Sequence, residues 1–115
     1  MPTRGEVWWV NFDPSKGEEI AKQRPAVVVS ANSVGALALR IVVPITGWRP
    51  QYAGQPWTIE IKATRQNGLT KDSAADAFQV KSVSTSRFVS RIGTLTAQQL
   101  DDIAAAIALC IDYTY

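Results

Sequence analysis

Hydrophobic residues along this chain come in short bursts separated by polar, turn-forming stretches. The first burst, Gly5 to Phe12, is rich in β-branched and aromatic residues and ends at Asp13-Pro14; it predicts a strand closed by a turn. Its neighbours Trp8 and Trp9 must point to opposite faces, because side chains alternate along a strand. One can join a core. The other needs cover from a loop, a ligand or a partner subunit, since an indole carries a large apolar area. A charged loop follows from Ser15 to Gln23, with Lys16, Glu18, Glu19 and Lys22 around Gly17.

Arg24 to Ser30 predicts a second strand, and Pro25 places its start at an edge or first position. After the turn-rich Ala31 to Gly35, Leu39 to Pro44 predicts a third strand, and Thr46 to Pro56 reads as a long polar loop bearing Trp48, Arg49, Gln51 and Tyr52. Trp57 to Lys62 alternates as a fourth strand, and Asn67-Gly68 signals a tight turn. Ala77 to Val83 predicts a fifth strand and Arg91 to Leu95 a short sixth.

Only the last element reads as a helix. Thr96 and Gln99 form a capping box. Leu100, Ile103, Ala104, Ile107 and Ile111 then recur at helical spacing as one apolar stripe. Asp101 and Asp102 are placed to complement the helix dipole. Many short strands before one terminal helix predict a mainly β fold: a small, strongly bent sheet or barrel capped by that helix. At 115 residues the chain reads as a single domain, 1–115, able to bury its own core.

Composition narrows the function. Apolar residues make up 46% and charged residues 19%, the profile of a soluble globular protein. No apolar run reaches the ~18 residues of a membrane span, and the start lacks a secretory pattern. Cys110 is the single cysteine and histidine is absent, so neither an internal disulfide nor a zinc-type ligand cluster is expected. The expected compartment is the cytoplasm, with no cofactor and no metal. Net charge is only +2, but every Lys and Arg lies between Arg4 and Arg91, while Ile92 to Tyr115 carries three Asp and no base. A basic body with Trp and Tyr on its loops suits a polyanion as well as an uneven solvated face.

Without imidazole, the commonest general base is missing, and Ser–His–Asp and Cys–His schemes are impossible. Glycine-rich phosphate loops are absent as well. What stands out is Arg24, just before an apolar strand, and Thr46, just after another. A fork-shaped cation beside a hydroxyl suits a phosphate. Cleaving RNA through its own 2′-hydroxyl needs a group to take that proton, a cation for the charge on phosphorus, and an acid for the leaving oxygen. Arg24 fits the second need and Thr46 could hydrogen-bond a phosphate oxygen or the 2′-hydroxyl. Glu19 is the nearest carboxylate able to act as base, and Gln79 a neutral donor. Arg and Thr at strand ends are also ordinary, so spacing alone leaves both readings open.

Six ordered motifs go further: Arg4-Gly-Glu-Val-Trp-Trp-Val-Asn-Phe-Asp-Pro14, Lys16-Gly-Glu-Glu19, Gln23-Arg-Pro-Ala-Val-Val-Val-Ser30, Val42-Val-Pro-Ile-Thr46, Gln79-Val-Lys-Ser-Val83 and Arg91-Ile-Gly-Thr-Leu95. Across nearly the whole chain they resemble the MazF/PemK toxin family. That resemblance implies a dimeric SH3-like barrel and a metal-independent endoribonuclease of a toxin–antitoxin system. Such an enzyme cuts single-stranded RNA at short motifs and is held inactive by a cognate, MazE-like antitoxin. By the same resemblance Arg24 and Thr46 are the catalytic pair, and Glu19 and Gln79 line the same groove. Gln23, Lys16, Lys22, Arg49 and Lys81 are candidates for RNA contacts, and Trp48 for stacking on an unpaired base. Phe78 stands where many members have an acidic residue, and Gln23 where some have His.

Two other functions bear on the same fold. A gyrase poison of the CcdB type acts by protein binding through a Trp near its C-terminus, whereas this chain ends Cys110-Ile-Asp-Tyr-Thr-Tyr115. An inactive binding homologue would have no need to keep both Arg24 and Thr46.

Overall fold

In the computed structural model, residues 1–114 are described. The strands are β1 (Glu6–Asn11), β2 (Gln23–Val28), β3 (Leu39–Gly47), β4 (Thr58–Ile61), β5 (Ser73–Asp76), β6 (Lys81–Ser84) and β7 (Phe88–Thr94), followed by the helix α1 (Ala97–Cys110). They form one antiparallel sheet in the order β4-β5-β3-β2-β1-β7, with β6 also paired to β3.

The bend of this sheet is made by β3. Its first half, Leu39–Val42, pairs with β6, and its last residues, Ile45–Gly47, pair with β5. Pro44, which has no N–H to give, stands in the gap between those two ladders. The result is a curled, open barrel of antiparallel strands with one C-terminal helix against it.

The continuous apolar runs of β2 and β3 are explained by burial on both faces. Val27 and Val43 are register partners in one core cluster with Val7, Ile45, Ile61 and Ile103. Ala26, Val28 and Val42 face the other way and pack with Val10, Phe12 and Val83. Alternation along β1 sends Val7 to the first cluster and Val10 and Phe12, with Trp8, to the second. Register shifts against β7 fall on either side of Trp8-Trp9 and bend the strand there. Trp8 then lies against the second cluster, edge-on to Phe88 at 5.7 Å, and Trp9 is left 37% exposed.

Several expectations are corrected. β3 runs three residues past Pro44, to Gly47, so Thr46 is strand rather than loop. Beyond it, Pro50–Gly54 coils into a short 3-10 turn. The predicted fifth strand over Ala77 to Val83 begins instead as a 3-10 turn, Ala77–Gln79, and only Lys81–Val83 are strand, the greater part of β6. The Asp76 carboxylate caps that turn by accepting from the Phe78 N–H, a local bond that competes with strand pairing. Asn67-Gly68 sits within a longer β4–β5 connection that docks on β7: the Thr94 N–H donates to the Gln66 carbonyl. Gly68 has φ +71, and a Cβ there would stand 1.9 Å from the Ile92 carbonyl oxygen, so only glycine fits.

The capping box of α1 is present in full, Thr96 with Gln99. Asp101 and Asp102 lie beyond the first turn, where the dipole effect has faded; Asp102 instead accepts from Gln98. The stripe facing the core is Leu100, Ile103, Ala106 and Ile107, whereas Ala104 and Ile111 face outward. The sheet covers the side of the helix centred near Ile103; Ala104 stands off that side, and Ile111 is the C-cap beyond the last turn.

Candidate functional site

The last register pair of β2 and β3 is Ala26 with Pro44. Continuing the antiparallel ladder by two residues sets Arg24 opposite Thr46, on the face that carries Ala26. There the two strands part, and side chains that would otherwise pack against one another look into open space. Arg24 is half-buried, and its Nε donates to the Ala21 carbonyl at 3.3 Å. Among the described residues neither its two Nη atoms nor the Thr46 hydroxyl has a hydrogen-bond partner. They are open to a ligand.

Two cavities meet at this pair. One, about 220 Å³, is walled by Trp9, Pro25, Ile45, Leu69 and Ile92, with Gln23, Thr70 and Ser73 as polar edges. The other, about 350 Å³, is bounded by Trp48, Arg49 and Tyr52, with the two rings edge-on at 5.8 Å. Arg24, Thr46, Gly47 and Lys71 belong to both. No Asp or Glu lines either cavity. The arrangement is therefore a trough of positive charge with an aromatic surface at each end. It is chemically suited to a chain that alternates anionic links with flat rings.

The remaining candidates fall in three groups. Gln23, Trp48 and Arg49 stand at the trough. Glu19, Gln79 and Lys81 border a separate small cavity with Phe78. Both ends of the Gln79 amide are committed there: its oxygen accepts from the Ile20 N–H at 3.0 Å, and its nitrogen donates to the Glu18 carbonyl at 2.7 Å. Glu19 accepts from the Lys16 N–H at 2.6 Å. This cluster holds the β1–β2 loop in place, and that loop presents the Ala21 carbonyl to Arg24. Lys16 and Lys22 are exposed on the loop, lining neither trough cavity. Phe78 is 67% exposed and rests edge-on to Trp57 at 6.2 Å.

Lys71, Tyr52 and Trp9 are the trough residues that sequence reasoning did not assign. Lys71 precedes β5 in a stretch the sequence left unassigned, and nothing in its local pattern links it to Arg24. The alternation that exposes Trp9 did signal a surface in need of cover.

Burial pushes the Asp76 carboxyl above its ordinary value, against the pull of hydrogen bonds from the Phe78 and Gln79 N–H groups. Glu6 is lowered: burial works to raise it, but hydrogen bonds from Thr3 and Trp8 and the Arg91 guanidinium at 3.1 Å outweigh that. Burial, and then the nearby Asp76, raise the Cys110 thiol, which is no activated nucleophile. Among the described residues no group of three or more His, Cys, Asp and Glu could hold a metal ion. No helix of the described residues is long and apolar enough to cross a membrane.

The fold has close counterparts. A MazF from Deinococcus radiodurans matches with TM-score 0.79 and 24% identity over 96% of each chain. The Mycobacterium tuberculosis toxin MazF-mt6 matches with TM-score 0.77 and 22% identity, over 96% of this chain and 99% of that one. This is the barrel of a family of small toxins. In sequence, endoribonuclease MazF9 of Mycobacterium tuberculosis is 37% identical over 118 residues, 97% of this chain and 98% of its own. The endoribonuclease toxin MazF of Escherichia coli K12 is 35% identical over 116 residues, 96% and 95% of the two chains. Residues 3–111 match the family described as PemK-like, MazF-like toxin of type II toxin-antitoxin system. The chain belongs to that family.

Proposed function

We infer that this chain is the endoribonuclease toxin of a type II toxin–antitoxin pair, cutting single-stranded RNA by attack of the substrate's own 2′-hydroxyl. The observation that carries the reading is the pairing of Arg24 and Thr46, with free polar atoms, at the meeting point of two carboxylate-free cavities. Two full-length relatives above 30% identity are named endoribonucleases. No feature of the described residues favours gyrase poisoning.

In this reading Trp9 and the Trp48–Tyr52 pair stack successive bases, and the phosphate between them lies against Arg24. The 2′-oxygen attacks phosphorus and the 5′-oxygen leaves. Arg24 holds the negative charge that builds on the phosphate oxygens, and Thr46 orients the 2′-hydroxyl or one of those oxygens. The donor set offers a metal nothing at this point, so the proposed reaction runs on side chains alone. Gln23 and Arg49 contact the strand at the trough. Glu19 and Gln79 support the loop beneath Arg24, and Lys16, Lys22 and Lys81 attract the backbone from outside.

The same trough suits an acidic inhibitor segment that folds as it binds. Structural relatives were solved with antitoxins, one titled an endoribonuclease in complex with its cognate antitoxin and one a MazE-MazF complex. A homodimer is part of the proposal: Leu37, just before β3, and Leu39 and Ile41 at its start are each 45% exposed or more, an apolar strip that a second copy can cover. The proposed compartment is the cytoplasm.

The test is direct. Purified protein incubated with long single-stranded RNA in chelator is expected to leave 2′,3′-cyclic phosphate and 5′-hydroxyl ends. Substituting a deoxynucleotide on the 5′ side of the cut is expected to stop cleavage. Cutting of that deoxy substrate, or loss of activity in chelator, would overturn the mechanism.

A further inference from the structure

We propose that Lys71 is a further catalytic residue, its ammonium gripping a non-bridging oxygen of the scissile phosphate across from Arg24; this rests on the nuclease reading above. The first observation is topological. Among the described residues only four line both cavities, and Gly47 brings no side chain. A strand with one base in each cavity has to lay the linking phosphate where Arg24, Thr46 and Lys71 meet.

The second observation is electrostatic. Gly47 pairs with Ser73, and the Trp48 N–H donates to the Asp72 carbonyl, so the ladder continues toward Arg49 opposite Lys71. Like charges set opposite each other across a ladder cost stability. Neither side chain is in an ion pair among the described residues. The neighbouring carboxylate offers no relief, because Asp72 is taken by Lys62 and the Ala63 N–H. A bound anion offsets the repulsion.

The third observation is where the Lys71 ammonium lies. A Cβ on Gly47 would lie 3.0 Å from its Nζ and Cε, so the ammonium lies over a bare glycine. Its loop is pinned by buried Asn67, which accepts from the Thr64 and Leu69 N–H groups and donates to the Lys62 carbonyl. In the reaction the 2′-oxygen–phosphorus bond forms and the phosphorus–5′-oxygen bond breaks. One proton leaves the 2′-oxygen and one reaches the 5′-oxygen. Lys71 stays protonated throughout and supplies charge only.

Two readouts decide it. A non-cleavable oligodeoxynucleotide, titrated by fluorescence anisotropy over a range of salt, reports on phosphate contacts. Lys71→Met is expected to flatten the slope of log affinity against log salt by about 0.7, the share of one phosphate on a single strand. Lys71→Arg is expected to restore the slope. Lys62→Met, at an ion-paired lysine outside both cavities, is expected to leave it unchanged. In single-turnover cleavage of RNA, Lys71→Met is expected to lose about 10²-fold in rate, with Lys71→Arg recovering most of it. A wild-type slope in Lys71→Met would overturn the contact, and a changed slope with a wild-type rate would overturn the catalytic role. A wild-type protein that cleaves no RNA would instead sink the nuclease reading, which the variant comparison alone cannot do.

Discussion

Two arginines at opposite ends of the β2–β3 region have opposite fates. Arg40 is 5% exposed, and its guanidinium donates to the carbonyls of Pro2, Leu37, Leu39 and Gly35 at 2.8, 2.6, 2.8 and 3.2 Å. Arg24 is half-buried and uses only Nε, on one carbonyl. The first is saturated by the fold and ties the N-terminus to the turn before β3. The second is anchored at its stem with its fork left open. Residue type did not separate them; the count of committed donors does.

Arg24→Ala breaks the comparison most sharply. Its cleavage rate is expected to fall by ~10²–10³ or more, and its melting temperature to move by only about 2 °C, because little packing is lost. Single-turnover kinetics beside a thermal melt checks both. Arg24→Lys keeps the charge and loses the fork, and is expected to stay severely impaired. Arg40→Met is the mirror case. Leaving buried carbonyls without donors is expected to cost on the order of 3 kcal/mol, a fall of roughly 10 °C, with catalysis per folded molecule preserved.

Smaller effects sharpen the picture. Thr46→Val, which keeps the shape and removes the hydroxyl, is expected to cost about tenfold or more in rate with little change in stability. Gln79→Ala is expected to lose about 1 kcal/mol, since it drops two bonds to the β1–β2 loop. Its rate should fall only a few-fold, through the Ala21 carbonyl that seats Arg24. Asp76→Asn is the mildest. The raised carboxyl means the folded chain holds that proton more tightly than the unfolded one. Its contribution therefore falls as pH rises from the ordinary 3.8 through the raised value. Asn keeps an acceptor for the Phe78 N–H and has no charge to bury. It is expected to gain under ~1 kcal/mol at neutral pH and to flatten that part of the pH–stability curve, as denaturant titrations at several pH values would read.

Much of this was legible in the sequence because each signal was local. The capping box at Thr96, the strand of Trp8 and Trp9 and the doubly buried runs around Val27 and Val43 all follow from neighbours within a few residues. The failures share a cause. The Asp76 side chain, not a propensity, turns the start of the predicted fifth strand into a 3-10 turn and leaves only Lys81–Val83 as strand. Ile111 has helical spacing, but nothing lies over it. The juxtaposition of Arg24 and Thr46 follows from register once β2 and β3 are known to pair. Lys71 needs the whole bend of β3 before it arrives beside them, so no pattern near it could reveal the connection.

A trough of three cations with no carboxylate also sets stability against activity. When it is empty, Arg24, Arg49 and Lys71 repel one another across a small space; when an anionic chain fills it, that repulsion becomes attraction. Any ligand that binds only the folded form raises the unfolding free energy, by about 2.7 kcal/mol at a hundred times its dissociation constant. In the proposed cycle the liberated, unengaged toxin is thus the most fragile species. Under that proposal, release from an inhibitor opens a limited interval in which the molecule either finds a polyanion or is lost to unfolding, so its lifetime is tied to the supply of its target.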